Sequence, residues 1–536
     1  MIALRLETGT KWSLLDAQQA DQMPIAPSQI LASKAPAATS SHGRLIEVMD
    51  ALVRRADGDA WGVRELAHDL GESRSTVNRI LVALVDRNFA VEEGVGKYRV
   101  GPRFRVLMHA LNNRSALVNT ARHLLDGLAE SAKQAALLSV YAPHLNGYYV
   151  LHCGEAPATL FFRPKSGNPF PLEFGDIGRG FSEFLRKHPS PDDIPPRLTP
   201  IEPPQSISES EFPSAVSMVV RRLAPGLVIS VSLHDLGGLD AKVRHAARAK
   251  LDEVADRLSQ AVGVSDSFGR GVVSDGDSAI VARLEGLLQL VCAEPNGYKC
   301  RLGMAAQLQC NAATAKKIIE SATLERLIHI DGQVIYPAAR LHQWAALLSN
   351  ETYSPVKLCK SIVDSLVKET GETIAYLSFD GTTSKAQFLD VTQGWRPIQY
   401  KLETGVDVPL YAGGAGKAVL AHLPADFAEG LKLEKLTDAT ITSHSKLRAD
   451  LQSIRERGWS VGDGERVLGA FGIGVPIFID GQIAGSISAT IPQYRKEDCD
   501  VPSLIENMKQ ASRRIGHLLS LGGMGALAPE AQRGCP

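Results

Sequence analysis

The pattern of apolar residues near the start of the chain predicts three successive helices and a hairpin. Apolar positions recur at helical spacing over 44–56 and again over 63–70, as they do in amphipathic helices. A third helix is predicted after Ser73, because a serine hydroxyl suits the N-cap of a helix. Short β-rich runs around glycines at 89–100 predict a hairpin. This order of elements predicts a winged helix-turn-helix domain over residues 41–111.

A second kind of domain is predicted after residue 115. Helical periodicity at about 117–133 and 242–262 flanks several short β-rich runs, among them Leu227–Leu233. A further helix is predicted near Phe181–Lys187. We therefore predict an α+β domain over 115–263.

The whole pattern recurs 238 residues further along the chain. Adding 238 carries Leu52-Val53 onto Leu290-Val291, Leu70 onto Leu308, Thr76 onto Thr314, Ile80 onto Ile318, Gly175 onto Gly413 and Gly178 onto Gly416. This period is far longer than that of a solenoid and predicts a tandem duplication of both domains. The predicted divisions are a flexible leader at 1–40, the domains at 41–111 and 115–263, a linker at 264–278, a second winged helix at 279–346, a second α+β domain at 354–521 and a tail at 522–536.

Composition indicates an ordinary globular protein. The chain has 536 residues, a net charge of −1 and 44% hydrophobic residues, so any basic surface must be local. Its seven cysteines are scattered and form no CxxC pair, which predicts neither a zinc site nor a disulfide framework. No signal peptide and no apolar run of about 18 residues is present, so we expect a soluble, cytoplasmic protein with no membrane partner.

The helix that begins after Ser73 carries the residue types that read DNA. Arginine can pair with guanine, asparagine with adenine, and hydroxyls with phosphates. From Ser73 to Arg105 there are seven Lys or Arg residues against three acidic ones, a local charge of +4. The predicted DNA-binding residues are Ser73, Arg74, Ser75, Thr76, Asn78, Arg79, Lys97 and Arg99. A solvated helix face is the competing interpretation.

The second winged helix is a weaker candidate for DNA binding. Its matching window, 311–343, has four Lys or Arg residues against three acidic ones, a local charge of +1. Its hairpin is expected to shrink to Ile330–Ile335 and to lack basic residues.

No catalytic or cofactor site is predicted. The segment from Tyr411 to Ala418 resembles a phosphate-binding loop, but that motif needs Gly at the first position and Ser or Thr at the last. No motif of a hydrolase, metalloprotease or paired-carboxylate enzyme is present. We expect a protein that is not an enzyme and holds neither cofactor nor metal.

Two long segments resemble the isocitrate lyase regulator (IclR) family of bacterial transcription regulators. The first is VRELAHDLGESRSTVNRILVALVDRNFAVEEGVGKYRVG, and the second combines VPLYAGGAGKAVLAHLP with LTDATITSHSKLRADLQSIRERGWSVGDGERVLGAFGIGVPIFIDGQIAGSISATIP. The resemblance covers about 44–262 and 280–521. It implies a GAF-like effector domain that binds a small carboxylic or aromatic acid, and a winged helix that binds operator DNA, usually in dimers or tetramers.

The resemblance also implies the residues of the effector pocket. They are Gly414, Ala415, Gly462, Asp463, Gly472, Ser488 and Thr490. Gly414 and Ala415 would begin a helix whose free N–H groups suit a carboxylate. Ser488 and Thr490 would share one strand face because they are two residues apart; they could equally be ordinary residues of a sheet core.

This chain departs from the family pattern at two pocket positions. The family has an aspartate where this chain has Gly462 and a cysteine where it has Gly472. We therefore expect a different or larger effector, with Asp463 able to substitute only after a backbone shift. We also expect Gly414→Asp to fold but to lose its response to the effector.

The first α+β domain departs further. Asp176 stands at the position of Gly414, where its charge would repel a carboxylate, and 18 residues of the second copy have no counterpart. We expect this domain to be degenerate and to have a structural or dimerising role.

Together these features predict a ligand-responsive DNA-binding regulator. The two copies within one chain would together imitate a dimer of the family. Two such chains could also form a homodimer. Coupling would run through the helices at 101–111 and 337–348, which join each winged helix to its α+β domain. The competing interpretation is a ligand sensor that acts by protein–protein contact without specific DNA binding.

Overall fold

The computed structural model of the chain describes residues 40–154, 162–195, 212–236, 241–262, 280–299, 303–350, 354–396, 398 and 400–521. The predicted linker and tail lie outside these residues, and so does the predicted leader except for Ser40. Among the described helices, none is long and apolar enough to cross a membrane.

The first winged helix has the predicted order of elements. They are α1 (Ser41–Arg54), β1 (Trp61–Gly62), α2 (Val63–Asp69), α3 (Arg74–Asp86), β2 (Ala90–Glu92) and β3 (Lys97–Val100). Ser73 caps α3 as predicted, because its Oγ accepts a hydrogen bond from the N–H of Thr76 at 3.2 Å. The three strands form a sheet in the order β1-β3-β2, so the predicted hairpin gains a short third strand from before α2.

A connecting helix leads into the first α+β domain. The elements are α4 (Pro102–Arg114), α5 (Ala116–Ala132), β4 (Ala135–Ala142), β5 (Gly147–Gly154), β6 (Pro169–Pro171), α6 (Gly175–Lys187), β7 (Ala215–Ala224), β8 (Leu227–His234) and α7 (Ala241–Ala261). Strand β7 was not predicted from the sequence. It lies at an edge of its sheet and is half-buried along most of its length, so it lacks a strong apolar signature.

The second half of the chain repeats this plan. Its winged helix contains α8 (Ile280–Ala293), β9 (Tyr298–Lys299), α9 (Met304–Gln307), α10 (Ala312–Leu324), β10 (Ile328–Asp331) and β11 (Val334–Pro337). The connecting helix is α11 (Ala339–Leu347). The second α+β domain contains α12 (Pro355–Thr370), β12 (Thr373–Asp380), β13 (Lys385–Thr392), α13 (Gly414–Leu420), α14 (Ala425–Glu429), α15 (His444–Arg457), β14 (Ser460–Asp463), β15 (Ala470–Ile479), β16 (Gln482–Pro492) and α16 (Val501–Leu519).

Equivalent elements recur at the predicted offset. Helices α3 and α10 differ by 238 residues at both ends, and so do strands β4 and β12. Four strands have the same order in both large sheets, β5-β4-β8-β7 in the first and β13-β12-β16-β15 in the second. The second sheet adds β14 beside β15, whereas the first adds β6 beside β5. The two α+β domains thus share a four-strand order and differ at one edge of the sheet, while the tandem duplication itself stays a prediction.

The two winged helices share one hydrophobic core, which includes buried residues of both halves. Phe104 of α4 is fully buried there. Its ring contacts Phe89 edge-on at a centroid distance of 4.9 Å, and Trp344 of α11 at 5.5 Å. Each domain therefore needs the other to bury part of its apolar surface.

Two buried arginines make reciprocal contacts between the winged helices. Arg103, at the start of α4, reaches across to Glu285 of α8, with 2.6 Å between Nε and Oε1. Arg340, at the start of α11, lies 4.0 Å from Asp50 of α1. Each connecting helix thus contacts the first helix of the other half, which is the pattern of a self-complementary two-fold interface.

Removing the Phe104 ring should destabilise both winged helices together. We expect Phe104→Ala to lower the free energy of unfolding by about 3–5 kcal/mol, because it leaves a cavity in the shared core. The control is Val95→Ala at a fully exposed position of the β2–β3 turn, with an expected change within about 0.5 kcal/mol. Urea unfolding followed by circular dichroism measures both. Equal effects would contradict a shared core.

Candidate functional site

The exposed face of α3 carries the predicted recognition residues. Arg74, Asn78 and Arg79 are exposed, whereas Val77 and Leu81 are fully buried against the domain core. Among the described residues, neither Arg74 nor Arg79 has a hydrogen-bond or ion-pair partner. Both guanidinium groups are therefore available to an external acceptor.

The predicted hydroxyl residues at the start of α3 have a structural role as well. The Oγ of Ser73 lies 2.8 Å from Oγ1 of Thr76 and 3.0 Å from Oγ of Ser75, within hydrogen-bonding distance. This cluster fixes the first turn of the helix, which orients Arg74 and Arg79.

The two predicted cations of the wing differ in their availability. Lys97 is exposed at the start of β3. Arg99 is bound by the protein itself, because it forms an ion pair with Glu93 and donates a hydrogen bond from Nη1 to the carbonyl of Gly58 at 2.6 Å. Of the two, Lys97 is the one free to approach a phosphate.

The local charge of +4 overestimates the basic surface. Arg103 is fully buried, and Arg87 forms an ion pair with Glu285 at 3.3 Å. Both arginines therefore hold the two winged helices together. The sequence window counted them as surface charge because a linear count cannot distinguish an interface from a surface.

The second winged helix has even less basic surface than its sequence predicted. Its α10 begins with the cap Asn311, whose Oδ1 accepts the N–H of Thr314 at 2.8 Å, so the scaffold is intact. However, Arg340 is buried, and Arg326 lies 3.5 Å from Asp192 of the first α+β domain. Among its described residues, Lys316 and Lys317 are the cations that are exposed.

A cavity of about 70 Å³ lies beside α13 in the second α+β domain. Six of the seven predicted effector residues line it, namely Gly414, Ala415, Gly462, Gly472, Ser488 and Thr490. The sheet register explains why. Gly462, Gly472 and Thr490 lie opposite one another on β14, β15 and β16, so they share one face.

Glycines allow the start of α13 to lie directly against this sheet face. A Cβ at Gly474 would lie 2.3 Å from the carbonyl oxygen of Gly414, and a Cβ at Gly414 would lie 2.7 Å from that of Gly472. Both distances are shorter than any side chain tolerates. The expectation that Gly414→Asp folds normally is therefore wrong, because the new side chain would push against backbone atoms.

The same packing changes the interpretation of Gly462. A Cβ there would lie 2.3 Å from the Cα of Gly413, so the space that an aspartate would need is filled by the loop before α13. At Gly472, by contrast, the nearest atom to an added Cβ is 3.6 Å away. The prediction of a larger effector thus fails at Gly462, where the absent side chain leaves no extra room.

Asp463 is not part of the cavity. Its carboxylate accepts hydrogen bonds from Gln493 Nε2 at 2.6 Å and from Lys496 Nζ at 2.8 Å. Those contacts lower the pKa of Asp463, Lys496 contributing most. Neighbouring residues of a strand point to opposite faces of the sheet, so Asp463 faces away from the cavity side of Gly462, and its binding of effector stays a prediction that requires a backbone shift.

Ser488 gives the cavity an unusual polar group. Its side chain is only 2% exposed, and its Oγ has no hydrogen-bond partner among the described residues. A buried hydroxyl without a partner costs free energy, which an incoming polar ligand would recover. The interpretation of Ser488 as an ordinary core residue leaves this hydroxyl unexplained.

Arg466 is a cavity residue that the sequence analysis missed. Its guanidinium carbon lies 5.3 Å from the ring centroid of Phe388, which also lines the cavity. Burial lowers the pKa of Arg466. The one sequence feature that could have indicated Arg466 is its position directly after Glu465, in the turn between β14 and β15.

A buried lysine holds the turn that carries Arg466. The Nζ of Lys417 lies 2.6 Å from Glu465 and 2.7 Å from Asp450. The other oxygen of Glu465 accepts the N–H of Gly413 at 2.9 Å. The hydroxyl groups of Thr437 and Thr440 donate hydrogen bonds to the carbonyls of Gly464 and Glu465 in the same turn.

The corresponding region of the first α+β domain is filled by its own side chains. A cluster of aromatic residues packs there and is largely buried, comprising Tyr148, Phe162, Phe170, Phe174, Phe181 and Phe212. The carboxylate of Asp176 accepts the N–H of Ala215 at 2.8 Å and pairs with Arg179 at 2.9 Å. Within the described residues, this domain also has no strand equivalent to β14.

Comparison with known proteins finds family models that match the first winged helix and the second α+β domain. Residues 43–94 match the model described as the IclR helix-turn-helix domain, and residues 354–517 match that of the bacterial transcriptional regulator IclR C-terminal. The regulator BhcR of Paracoccus denitrificans is 32% identical over 165 residues, which are 30% of this chain and 58% of BhcR. The transcriptional repressor IclR of Escherichia coli is 26% identical over 238 residues, which are 43% of this chain and 86% of that repressor.

A solved structure, that of Thermotoga maritima IclR, covers 40% of this chain and 89% of that chain at 22% identity and a TM-score of 0.30. The matched domains are those of bacterial transcriptional regulators, which are not enzymes. The chain thus contains both domain types of the IclR family of these regulators, each matched by its own family model. The part of this chain that aligns with BhcR covers less than two thirds of the length of BhcR.

The buried lysine beneath the cavity should be essential for the second α+β domain. We expect Lys417→Met to cost about 3–5 kcal/mol, because it leaves the carboxylate of Glu465 buried without a cation. Lys435→Met is the control, since Lys435 forms an exposed pair with Asp438 worth less than about 1 kcal/mol. Thermal unfolding compares them. A similar loss in both variants would contradict the supporting role of Lys417.

Proposed function

We propose that the protein is an effector-responsive transcriptional regulator that reads an operator through its first winged helix. It senses a small carboxylic or aromatic acid in the cavity beside α13. One observation carries the proposal: a single chain combines free arginines on the exposed face of α3 with a cavity that contains an unpartnered buried hydroxyl. The first α+β domain has a structural role. Such a DNA-binding regulator acts in the cytoplasm.

We also propose that the two halves of this chain pack against each other as the two subunits of a family dimer do. The reciprocal contacts Arg103–Glu285 and Arg340–Asp50 support it, as does the core that both winged helices share. Such an arrangement makes the reading head on α3 more basic than the one on α10, because the exposed wing residue Lys97 adds to Arg74 and Arg79. The chain would then bind an operator asymmetrically.

Coupling between sensor and reader runs across the two halves in this proposal. Arg103 of α4 donates hydrogen bonds from Nη1 to the carbonyls of Leu518 at 2.8 Å and Ser520 at 2.6 Å. These carbonyls end α16, which packs on β15, the strand that carries Gly472. A ligand that shifts β15 therefore acts on the helix that carries the first winged helix. This route uses α4, one of the two joining helices that the sequence suggested, and adds a contact between the two halves.

Arg74 and Arg79 should dominate DNA affinity. We expect Arg74→Ala or Arg79→Ala to weaken specific operator binding by about 1–3 kcal/mol, because each removes a possible bidentate contact to a base. Gel-shift titration on an operator selected from random DNA measures it. Unchanged affinity in both variants would contradict the assignment and favour the sensor that acts by protein–protein contact. The salt dependence of binding separates these two, because phosphate contacts release counterions.

Lysines 316 and 317 give the matched control for asymmetry. Exchanging both for Ala should weaken DNA binding less than exchanging Arg74 and Arg79 together, because α10 has fewer basic neighbours. An equal or larger loss would make the second winged helix the primary reader.

Removing the Arg103–Glu285 pair should uncouple sensing from DNA binding. We expect the double variant Arg103→Met/Glu285→Leu to fold, because replacing a buried ion pair by apolar residues is often close to neutral. It should bind operator but lose the change in affinity that effector causes in the parent chain. The matched control is Arg340→Met/Glu325→Leu, which removes the buried charges at the other connecting helix, where Arg340 lies 3.2 Å from Glu325 and 4.0 Å from Asp50 but has no hydrogen-bond or ion-pair partner in α16 among the described residues. An unchanged effector response in the first double variant would exclude this route.

A further inference from the structure

We propose that Arg466 binds the carboxylate of the effector and makes the cavity selective for small acids over their neutral isosteres. This inference rests on the proposed sensing function of the cavity beside α13. It assigns a specificity-determining residue to that site and limits the size of the ligand.

The position of Arg466 is fixed by its neighbours in the chain. Glu465 is held by Lys417 on one oxygen and by the N–H of Gly413 on the other. Its backbone carbonyl accepts a hydrogen bond from Thr440 at 2.7 Å. The next residue, Arg466, therefore leaves a rigid turn, and its stem lies within 4 Å of the point where a Cβ of Gly413 would be. The guanidinium is held over Phe388 at the cavity wall.

The charge of Arg466 has no counterpart in the protein. Among the described residues no carboxylate lies within ion-pair distance of it, and none of the residues lining the cavity is acidic. Moving a cation out of water without a partner is unfavourable, and burial lowers the pKa of Arg466 accordingly. A bound carboxylate would remove this penalty and accept two parallel hydrogen bonds from the guanidinium. Lys401 also lines the cavity but is exposed, so its charge is screened by water.

Helix α13 alone does not provide an anion site. It has only seven residues, and the N–H of Gly413 before it is already bound to Glu465. The second recognition group is Ser488, whose buried hydroxyl has no partner among the described residues. A ligand that satisfies both groups has a carboxylate at one end and a hydrogen-bonding oxygen near it.

The cavity also limits the length of the ligand. Its volume of about 70 Å³ holds about five to seven water-sized groups. Lactate, with six non-hydrogen atoms, fits this description, whereas benzoate requires the cavity to expand. We therefore expect short aliphatic acids to bind more tightly than aromatic ones.

The test uses the full-length chain and titration calorimetry with acetate, lactate, butyrate and benzoate, and with lactamide and butyramide as neutral isosteres. We expect the best acid to bind the parent chain. Arg466→Gln should weaken its affinity about 10- to 100-fold, the range expected for hydrogen bonds to a charged group. Arg466→Lys should restore part of it, because the charge returns without the planar fork. Amide affinity should change less than threefold in either variant.

Two controls separate the proposal from a structural effect. Arg448→Gln removes an exposed arginine that pairs with Glu429 on the outside of the domain, and it should leave acid binding unchanged. The melting temperature of ligand-free Arg466→Gln should stay close to that of the parent, because the half-buried guanidinium has no ion-pair partner to lose among the described residues. A lower melting temperature would instead assign Arg466 a structural role and overturn the proposal.

Three other results would distinguish failure of the Arg466 assignment from failure of the sensing function or of the size limit. If an acid binds the parent chain and Arg466→Gln with equal affinity, the assignment of Arg466 is wrong while the sensing function stands. If none of the acids binds the parent chain, both the sensing function of this cavity and the role of Arg466 fail. If benzoate binds more tightly than lactate, the size limit is wrong.

Discussion

One buried guanidinium connects three parts of this protein, namely the two winged helices and the second α+β domain. Arg103 is completely inaccessible to solvent, and its hydrogen bonds reach a carboxylate in the second winged helix and two carbonyls at the end of the second α+β domain. A charge in such surroundings is tolerable only while its partners stay in position, since breaking one contact leaves a buried ion uncompensated. The relative arrangement of α4, α8 and α16 is therefore tightly constrained. The shared apolar core stabilises the contact between the two winged helices, and the Arg103–Glu285 ion pair fixes their relative position.

The cavity depends on a different constraint, the absence of Cβ atoms where loop and sheet meet. Gly413 and Gly414 approach β14 and β15 so closely that side chains at Gly462 or Gly474 would overlap the loop. This contact closes one side of the cavity and explains its small volume. It also explains why a glycine replaces the family aspartate at 462 without enlarging the site. At Gly462, the missing side chain lets the loop before α13 pack directly on the sheet.

Local features of the fold could be predicted from the sequence, and long-range ones could not. The Ser73 cap and the 238-residue offset of α3 and α10 depend on short-range chemistry and on a direct comparison of residues. The burial of Arg87 and Arg103 depends on how two distant segments dock, which a local charge count cannot detect. Family resemblance identified six cavity residues, and strand register fixes the positions of the four that lie on β14, β15 and β16. It did not point to Arg466, and Asp463, which was named for its place beside Gly462, does not line the cavity.

The filled interior of the first α+β domain has a consequence for the shape of the response. A family dimer made of two identical chains has two effector pockets for its two reading heads, so binding at one can favour binding at the other. In the part of this chain that the structure describes, aromatic side chains fill the equivalent region of the first domain, so the proposed sensing function has one cavity for both heads. A single site cannot cooperate with itself. Under that proposal, effector occupancy within one chain rises hyperbolically with effector concentration, and the response is graded and has no threshold.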